Sequence, residues 1–170
     1  EGTLSHPLLL WRSLTQWLGG MGIVVLFVAI SPHLGVSGKH MYRSEVPGVT
    51  AEGLQPRIAE TSMVLWRLYL AFTIAEIVVL YLLGMDSFDS LNHAWTTMST
   101  GGFSTRNDSV AAFDSGPIEV ALSAFMLIAG VNFGLYYAVM RTRNLASILR
   151  SIELRTYGIL VVISTLILGM

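Results

Sequence analysis

The sequence predicts an all-α integral membrane protein, and three observations carry that class. Apolar residues make up 53% of the 170-residue chain and charged residues only 12%. Soluble domains average about 45–50% and about 25%. Three apolar stretches, Leu8–Ser31, Thr61–Leu83 and Pro117–Met140, each reach the roughly 20 residues that a helix needs to cross the bilayer core. The mean hydropathy is +0.63, and a helix is the only unpaired segment that satisfies its own backbone in hydrocarbon. Net charge is −1, which gives no bulk attraction to nucleic acid. With no cysteine, disulfides, thiolate metal sites and a cysteine nucleophile are excluded.

The first stretch is polar early (Arg12, Ser13, Thr15, Gln16), apolar over Ile23–Ile30 and closed by Pro32. Its Gly19-Gly20-Met21-Gly22 run permits close helix packing. The second stretch ends at Gly84, and the third carries a break at Ala129-Gly130-Val131-Asn132-Phe133-Gly134. Glycine disfavours a helix interior by about 1 kcal/mol against alanine. Close packing through small residues is the competing reading of that break. A fourth stretch starts near Tyr157 and runs to Met170. The chain opens on Glu1 and stops inside that apolar run, with no signal-peptide pattern. The expectation is an internal piece of a longer protein.

The connections differ in charge. Lys39, Arg43, Arg57, Arg141, Arg143, Arg150 and Arg155 lie in 33–60 and 141–155, whereas Arg106 is the single base in 85–116. Basic connections face the cytoplasm, so 85–116 is expected on the outer side. Within it, Asp86 or Ser87 can cap a helix start. Phe88, Leu91, Trp95 and Met98 follow at helical spacing. The spacing predicts a half-helix over 87–98, too short to span a bilayer. Its C-terminal dipole carries partial negative charge, which favours a cation.

The run Thr96-Thr97-Met98-Ser99-Thr100-Gly101-Gly102-Phe103-Ser104-Thr105 follows that half-helix. A dehydrated monovalent cation needs several oxygens in place of water, and consecutive backbone carbonyls supply them in selectivity filters. Such backbone often needs φ > 0, which glycine adopts freely. An ordinary surface turn is the competing reading of these residues. Neither Gly-rich phosphate signature is present.

The run His93-Ala94-Trp95-Thr96-Thr97-Met98-Ser99-Thr100-Gly101-Gly102-Phe103-Ser104-Thr105 resembles a pore loop of the Trk/Ktr/HKT potassium transporters. Trp11-Arg12-Ser13-Leu14-Thr15-Gln16-Trp17-Leu18-Gly19-Gly20-Met21-Gly22 resembles the start of the last helix of repeat two in the Trk branch. Tyr42-Arg43-Ser44-Glu45-Val46-Pro47-Gly48 and Pro56-Arg57-Ile58-Ala59-Glu60-Thr61 resemble the linker that follows. The resemblance spans essentially the whole chain. It implies four linked helix–pore loop–helix repeats around one potassium-channel-like pore. Residues 1–32 would be the last helix of repeat two and 33–60 a cytoplasmic linker. Repeat three would occupy 61–140, with helix 61–84, pore half-helix 87–98, filter loop 99–105 and helix 117–140. A second cytoplasmic linker, 141–156, would lead to the start of repeat four at 157–170.

The resemblance also implies a potassium-binding filter at Ser99, Thr100, Gly101, Gly102, Phe103 and Ser104, with the ion at Thr100, Gly101, Gly102 and Phe103. Thr100-Gly101-Gly102-Phe103 follows the channel pattern Thr-Val-Gly-Tyr, with departures at Gly101 and Phe103. It assigns the break at Gly130, Val131, Asn132, Phe133 and Gly134 to a gating loop. Potassium would be the transported ion, with no organic cofactor and no enzymatic activity. Membrane lipid, a second copy in a homodimer and a cytosolic nucleotide-binding regulatory subunit are the implied partners. The implied location is the bacterial inner membrane, as a multi-pass protein.

Other polar residues carry open readings. Glu76 lies within the second stretch, where an acid is a functional candidate by default; pairing with a neighbouring helix or an interfacial position competes. Arg67 can snorkel, and Arg12 reads as interfacial. His93 has no second ligand at metal spacing, so packing or hydrogen bonding is its expected role. Asp108 and Asp114 either enrich cations at the mouth or are simply solvated. Trp11, Trp17, Trp66 and Trp95 read as interfacial anchors or packing. An intramembrane hydrolase using His93 or the aspartates, and a non-conducting scaffold, are the rival functions. The hydrolase lacks a paired nucleophile and base.

Overall fold

The computed structural model describes residues 4–22, 55–143 and 151–169. All regular structure among them is helical: α1 His6–Trp17, α2 Gln55–Leu82, α3 Ser87–Met98, α4 Gly116–Gly130, α5 Phe133–Thr142 and α6 Ile152–Leu168. A wide turn at Leu18–Gly22 follows α1, and a 3-10 turn at Ser109–Phe113 precedes α4. The expected linker 33–60 lies outside the described residues up to 54, as do 144–150 of the linker 141–156 and 23–32 of the first stretch.

The described residues up to 129 form one compact unit. Its centre is α3, which packs against both α1 and α2. Asp86 caps α3 by accepting the Phe88 amide at 2.9 Å. Helix α2 ends in a Schellman turn: Gly84, at φ 97°, donates its amide to Tyr81 O, and Met85 donates to Leu80 O. The apolar contact that accompanies such turns is present, since Leu80 and Met85 join Ile118 and Leu122 of α4 in one buried cluster. Val110 and Phe113 of the 3-10 turn cover it.

Aromatic residues join α1, α2 and α3. Trp17 stacks on Tyr69 at 5.5 Å and lies 6.5 Å from Trp66 and 6.2 Å from Trp95. Its indole N–H donates to the Thr73 hydroxyl at 3.2 Å, and its carbonyl accepts from Tyr69 at 3.2 Å. Three of the four tryptophans are thus packing residues; Trp11 is 66% exposed.

The described residues from 130 onward form the second unit. Asn132 caps α5, its side-chain oxygen accepting the Gly134 amide at 2.8 Å. Its amide donates to Glu153 Oε1 on α6 at 2.8 Å. Ser151 caps α6 by accepting from Leu154 N at 3.2 Å.

Helix boundaries differ from the sequence expectations for local reasons. The third stretch is two helices of 15 and 10 residues, separated within the expected break at 129–134, where Asn132 caps the second. Helix α6 starts at Ile152, before the expected 157, because Ser151 supplies the cap. Helix α2 extends back to Gln55, into the expected linker. The first stretch leaves helical geometry at Gly20, whose ψ is −147°. Among the described residues, Ser62–Leu82 is long and apolar enough to cross a membrane, and Gly116–Gly130 is a shorter apolar helix.

Removing the α3 cap with Asp86→Ala should cost about 1 kcal/mol. The expected outcome is a lower apparent melting temperature of the detergent-solubilised protein, and an unshifted transition would contradict the capping role.

Candidate functional site: the loop after α3

The loop at 99–105 is held from inside by Thr96. This threonine is buried in the last turn of α3. Its carbonyl accepts the amides of Gly101 at 2.7 Å and Gly102 at 3.3 Å. Its hydroxyl donates to the Phe103 carbonyl at 2.8 Å. Thr100 donates its amide to Thr97 O at 2.9 Å. The amides of the turn are therefore consumed by the helix they leave.

Two residues of the loop have left-handed backbone, Thr100 at φ 54° and Gly102 at φ 68°. A Cβ at Gly102 would meet nothing within 4 Å, so conformation and not space selects glycine there. The carbonyls of Ser99, Thr100, Gly101 and Gly102 accept no hydrogen bond from the described residues, whereas those of Phe103 and Ser104 do. Unpaired carbonyls beside the C-terminal end of a helix are a cation-favouring arrangement.

The first helix meets this loop. Arg12 donates to Ser104 O at 2.7 Å, and its guanidinium lies 5.1 Å over the Phe103 ring. Gln16 packs on Gly101 so closely that a Cβ there would sit 2.7 Å from Gln16 Cγ. Sequence reading placed Arg12 at an interface and gave Gln16 no role. The α1 residues that reach the loop, Arg12 and Gln16, are far away along the chain, beyond any local spacing signal.

Behind the loop lies a polar network. His93 is buried; Nδ1 is 2.8 Å from Asp89 O and Nε2 is 3.1 Å from Ser104 Oγ. A carbonyl only accepts, so Nδ1 carries the proton and Nε2 accepts from the serine. Burial lowers the His93 pKa, which keeps the imidazole neutral as this pattern requires. Asp89 accepts from Thr105 at 2.7 Å and from both Nε and Nη2 of Arg106 at 3.1 and 2.7 Å. Burial pushes the Asp89 carboxyl upward, but Thr105 and Arg106 outweigh it and hold it below the usual carboxylate range. The expected packing and hydrogen-bonding role of His93 is what these contacts describe. Among the described residues no cluster of three His, Cys, Asp or Glu offers a metal site.

Glu76 is fully buried on α2. Its carboxyl oxygens have no hydrogen-bond partner among the described residues, and Thr97 is the polar side chain that faces it. Asp108 precedes the 3-10 turn and Asp114 ends it in left-handed geometry at φ 43°. At Gly130–Gly134, Tyr157 packs so tightly on Gly130 that a Cβ has no room, and Asn132 bonds Glu153.

Because the folded-state pKa of Asp89 is depressed, its contribution is present above the ordinary carboxylate range. It is lost as pH falls through the folded value. Asp89→Asn should therefore lower thermal stability at neutral pH and flatten its decline in acid; an unchanged pH profile would contradict this.

The chain matches the family described as TrkH, cation transport protein, over residues 1–168. It is 44% identical over 171 residues to the Trk system potassium uptake protein TrkH of Escherichia coli (strain K12), covering 98% of this chain and 35% of the relative. TrkG of the same organism is 38% identical, over 95% and 35% of the two chains. The crystal structure of the potassium transporter TrkH from Vibrio parahaemolyticus is similar at TM-score 0.60 and 42% identity, covering 82% of this chain and 26% of that one. The chain thus spans about a third of the length of the curated relatives it matches. With the match running along nearly all of its residues, the chain belongs to the TrkH family of cation transport proteins.

Proposed function

We propose that this chain is part of a potassium-uptake pore, in which the loop 99–105 presents backbone carbonyls to the ion. The observation that carries the reading is the set of carbonyls at Ser99–Gly102, unpaired among the described residues, beside the C-terminus of α3. Over 99–102 the amides are bonded to Trp95, Thr96 and Thr97, so the free polarity of that stretch is oxygen. The relatives named as potassium uptake proteins support potassium as the ion. Thr100, Gly101, Gly102 and Phe103 are the proposed coordinating positions, flanked by Ser99 and Ser104. The Phe103 carbonyl shares its lone pairs with the Thr96 hydroxyl, which makes it the weakest of the four.

One loop cannot surround an ion, so equivalent loops from the longer protein complete the proposed pore. Residues 1–32 then end repeat two, 61–140 form repeat three, and 157–170 start repeat four. The basic segments face the cytoplasm and the loop opens outward, in a bacterial inner membrane. The proposed partners are lipid, a second copy and a cytosolic nucleotide-binding subunit that meets the basic stretch 141–155. No covalent chemistry is required, and no residue acts as a catalyst.

Gly130, Val131, Asn132, Phe133 and Gly134 are the proposed gate. The support is a helix interruption fixed by side chains: Asn132 caps α5 and bonds Glu153. Non-helical backbone at membrane depth occurs where it is buried in protein or lines a wet cavity.

Gly102→Ser forces a side chain onto left-handed backbone, at a cost of roughly 1–3 kcal/mol. In the full-length protein this should cut rubidium uptake by vesicles to near background at unchanged membrane abundance. Uptake equal to wild type would reject the loop as the ion path and favour a non-conducting scaffold. Shortening 130–134 should raise basal rubidium leak, and unaltered flux would reject the gate.

A further inference from the structure

We infer that α1 is a splint for the loop 99–105, and that Arg12 and Gln16 are positioning residues that set its geometry. The inference rests on the loop being the ion path. Arg12 and Gln16 stand four residues apart, on one face of α1, and Gly20 continues the row into the following turn. Each meets the loop at a different height. Arg12 takes Ser104 O and covers the Phe103 ring. Gln16 lies on Gly101, and Gly20 lies on Ser99, where a Cβ would come within 3.0 Å of Ser99 Cβ. The order 12, 16, 20 against 104, 101, 99 is a continuous antiparallel seam.

This seam gives Gly101 its reason. Its φ is not left-handed, so backbone conformation does not demand glycine there. The demand comes from Gln16, whose Cγ, Cδ and Nε2 would lie 2.7, 3.0 and 3.0 Å from a Cβ. Gly102 is the reverse case, with open space and φ of 68°. Two adjacent glycines thus answer to different constraints, one imposed from α1 and one from the loop's own backbone.

Arg12 has a second effect. By donating to the Ser104 carbonyl, Arg12 engages one lone pair of that oxygen, as the Thr96 hydroxyl does for the Phe103 carbonyl. The proposed coordinating positions Thr100–Phe103 thus end where Arg12 holds the chain at Ser104. The planar guanidinium combines a hydrogen bond with stacking on Phe103, which a lysine ammonium does not reproduce.

The test uses the full-length protein in vesicles, with membrane abundance checked for every variant. Gly101→Ala should lower rubidium uptake about tenfold, the scale of overpacking a tight contact. Adding Gln16→Ala to Gly101→Ala should recover most of that loss. Uptake in the double variant no better than in G101A, or wild-type uptake in G101A itself, would overturn the splint. Gly102→Ser in the same assay reports on the loop as ion path independently, since its Cβ meets no α1 atom. Arg12→Gln should lower the sodium concentration that halves rubidium uptake about tenfold, the scale of a lost hydrogen bond to a charged group. Arg12→Lys should restore it in part. An unmoved sodium sensitivity in R12Q would overturn the role of Arg12.

Discussion

The double use of Thr96 is the contact on which the loop depends. Its carbonyl gathers the Gly101 and Gly102 amides, and its hydroxyl pins the Phe103 carbonyl. A chain leaving a helix in an apolar environment must find partners for its polar groups, since each unsatisfied one costs several kcal/mol. Thr96 meets that demand for the Gly101 and Gly102 amides, while the carbonyls of Ser99–Gly102 accept no hydrogen bond from the described residues. Over 99–102 the bonded amides and free carbonyls among the described residues give the loop a negative electrostatic face. The helix C-terminus beside it adds to the same sign.

The supports around Thr96 come from three directions. Below it, Asp86 and the Schellman turn at Gly84 fix where α3 begins relative to α2. Behind it, the Asp89–Arg106 pair and the neutral His93 tie the far side of the loop back to α3. Beside it, α1 lies along the loop from Ser99 to Ser104. Trp17 locks α1 to α2 through Tyr69 and Thr73, so the loop is held by a helix that is itself anchored. A short helix of 12 residues is marginal alone; here it is stabilised by packing on two sides.

The interruption between α4 and α5 solves the same problem differently. Asn132 substitutes a side-chain oxygen for the missing backbone acceptor of the Gly134 amide, and its amide group reaches Glu153. Gly130 admits the Tyr157 ring. The break is thus a capped junction with its own partners, and not a stretch of weakened helix. Glu76 stands apart from these solutions, because its carboxyl is buried beside the Thr97 side chain with no hydrogen-bond partner among the described residues.

The sequence by itself determined the class, the family and the position of the loop. Apolar runs, charge depletion and the Thr100-Gly101-Gly102-Phe103 run are local signals, legible because periodicity and turn chemistry act over a few residues. Phe88, Leu91, Trp95 and Met98 likewise announced a short helix, and Gly130 with Asn132 announced a break. Helix ends were less legible, since Ser151 as a cap competes with many equivalent serines. Tertiary structure alone decided which side chains meet the loop. That Arg12 holds Ser104, that Gln16 excludes a side chain at Gly101, and that Asp89 pairs with Arg106 are facts of packing between segments far apart in sequence. No spacing rule reaches across such distances, because the contact exists only once α1, α2 and α3 have settled against one another.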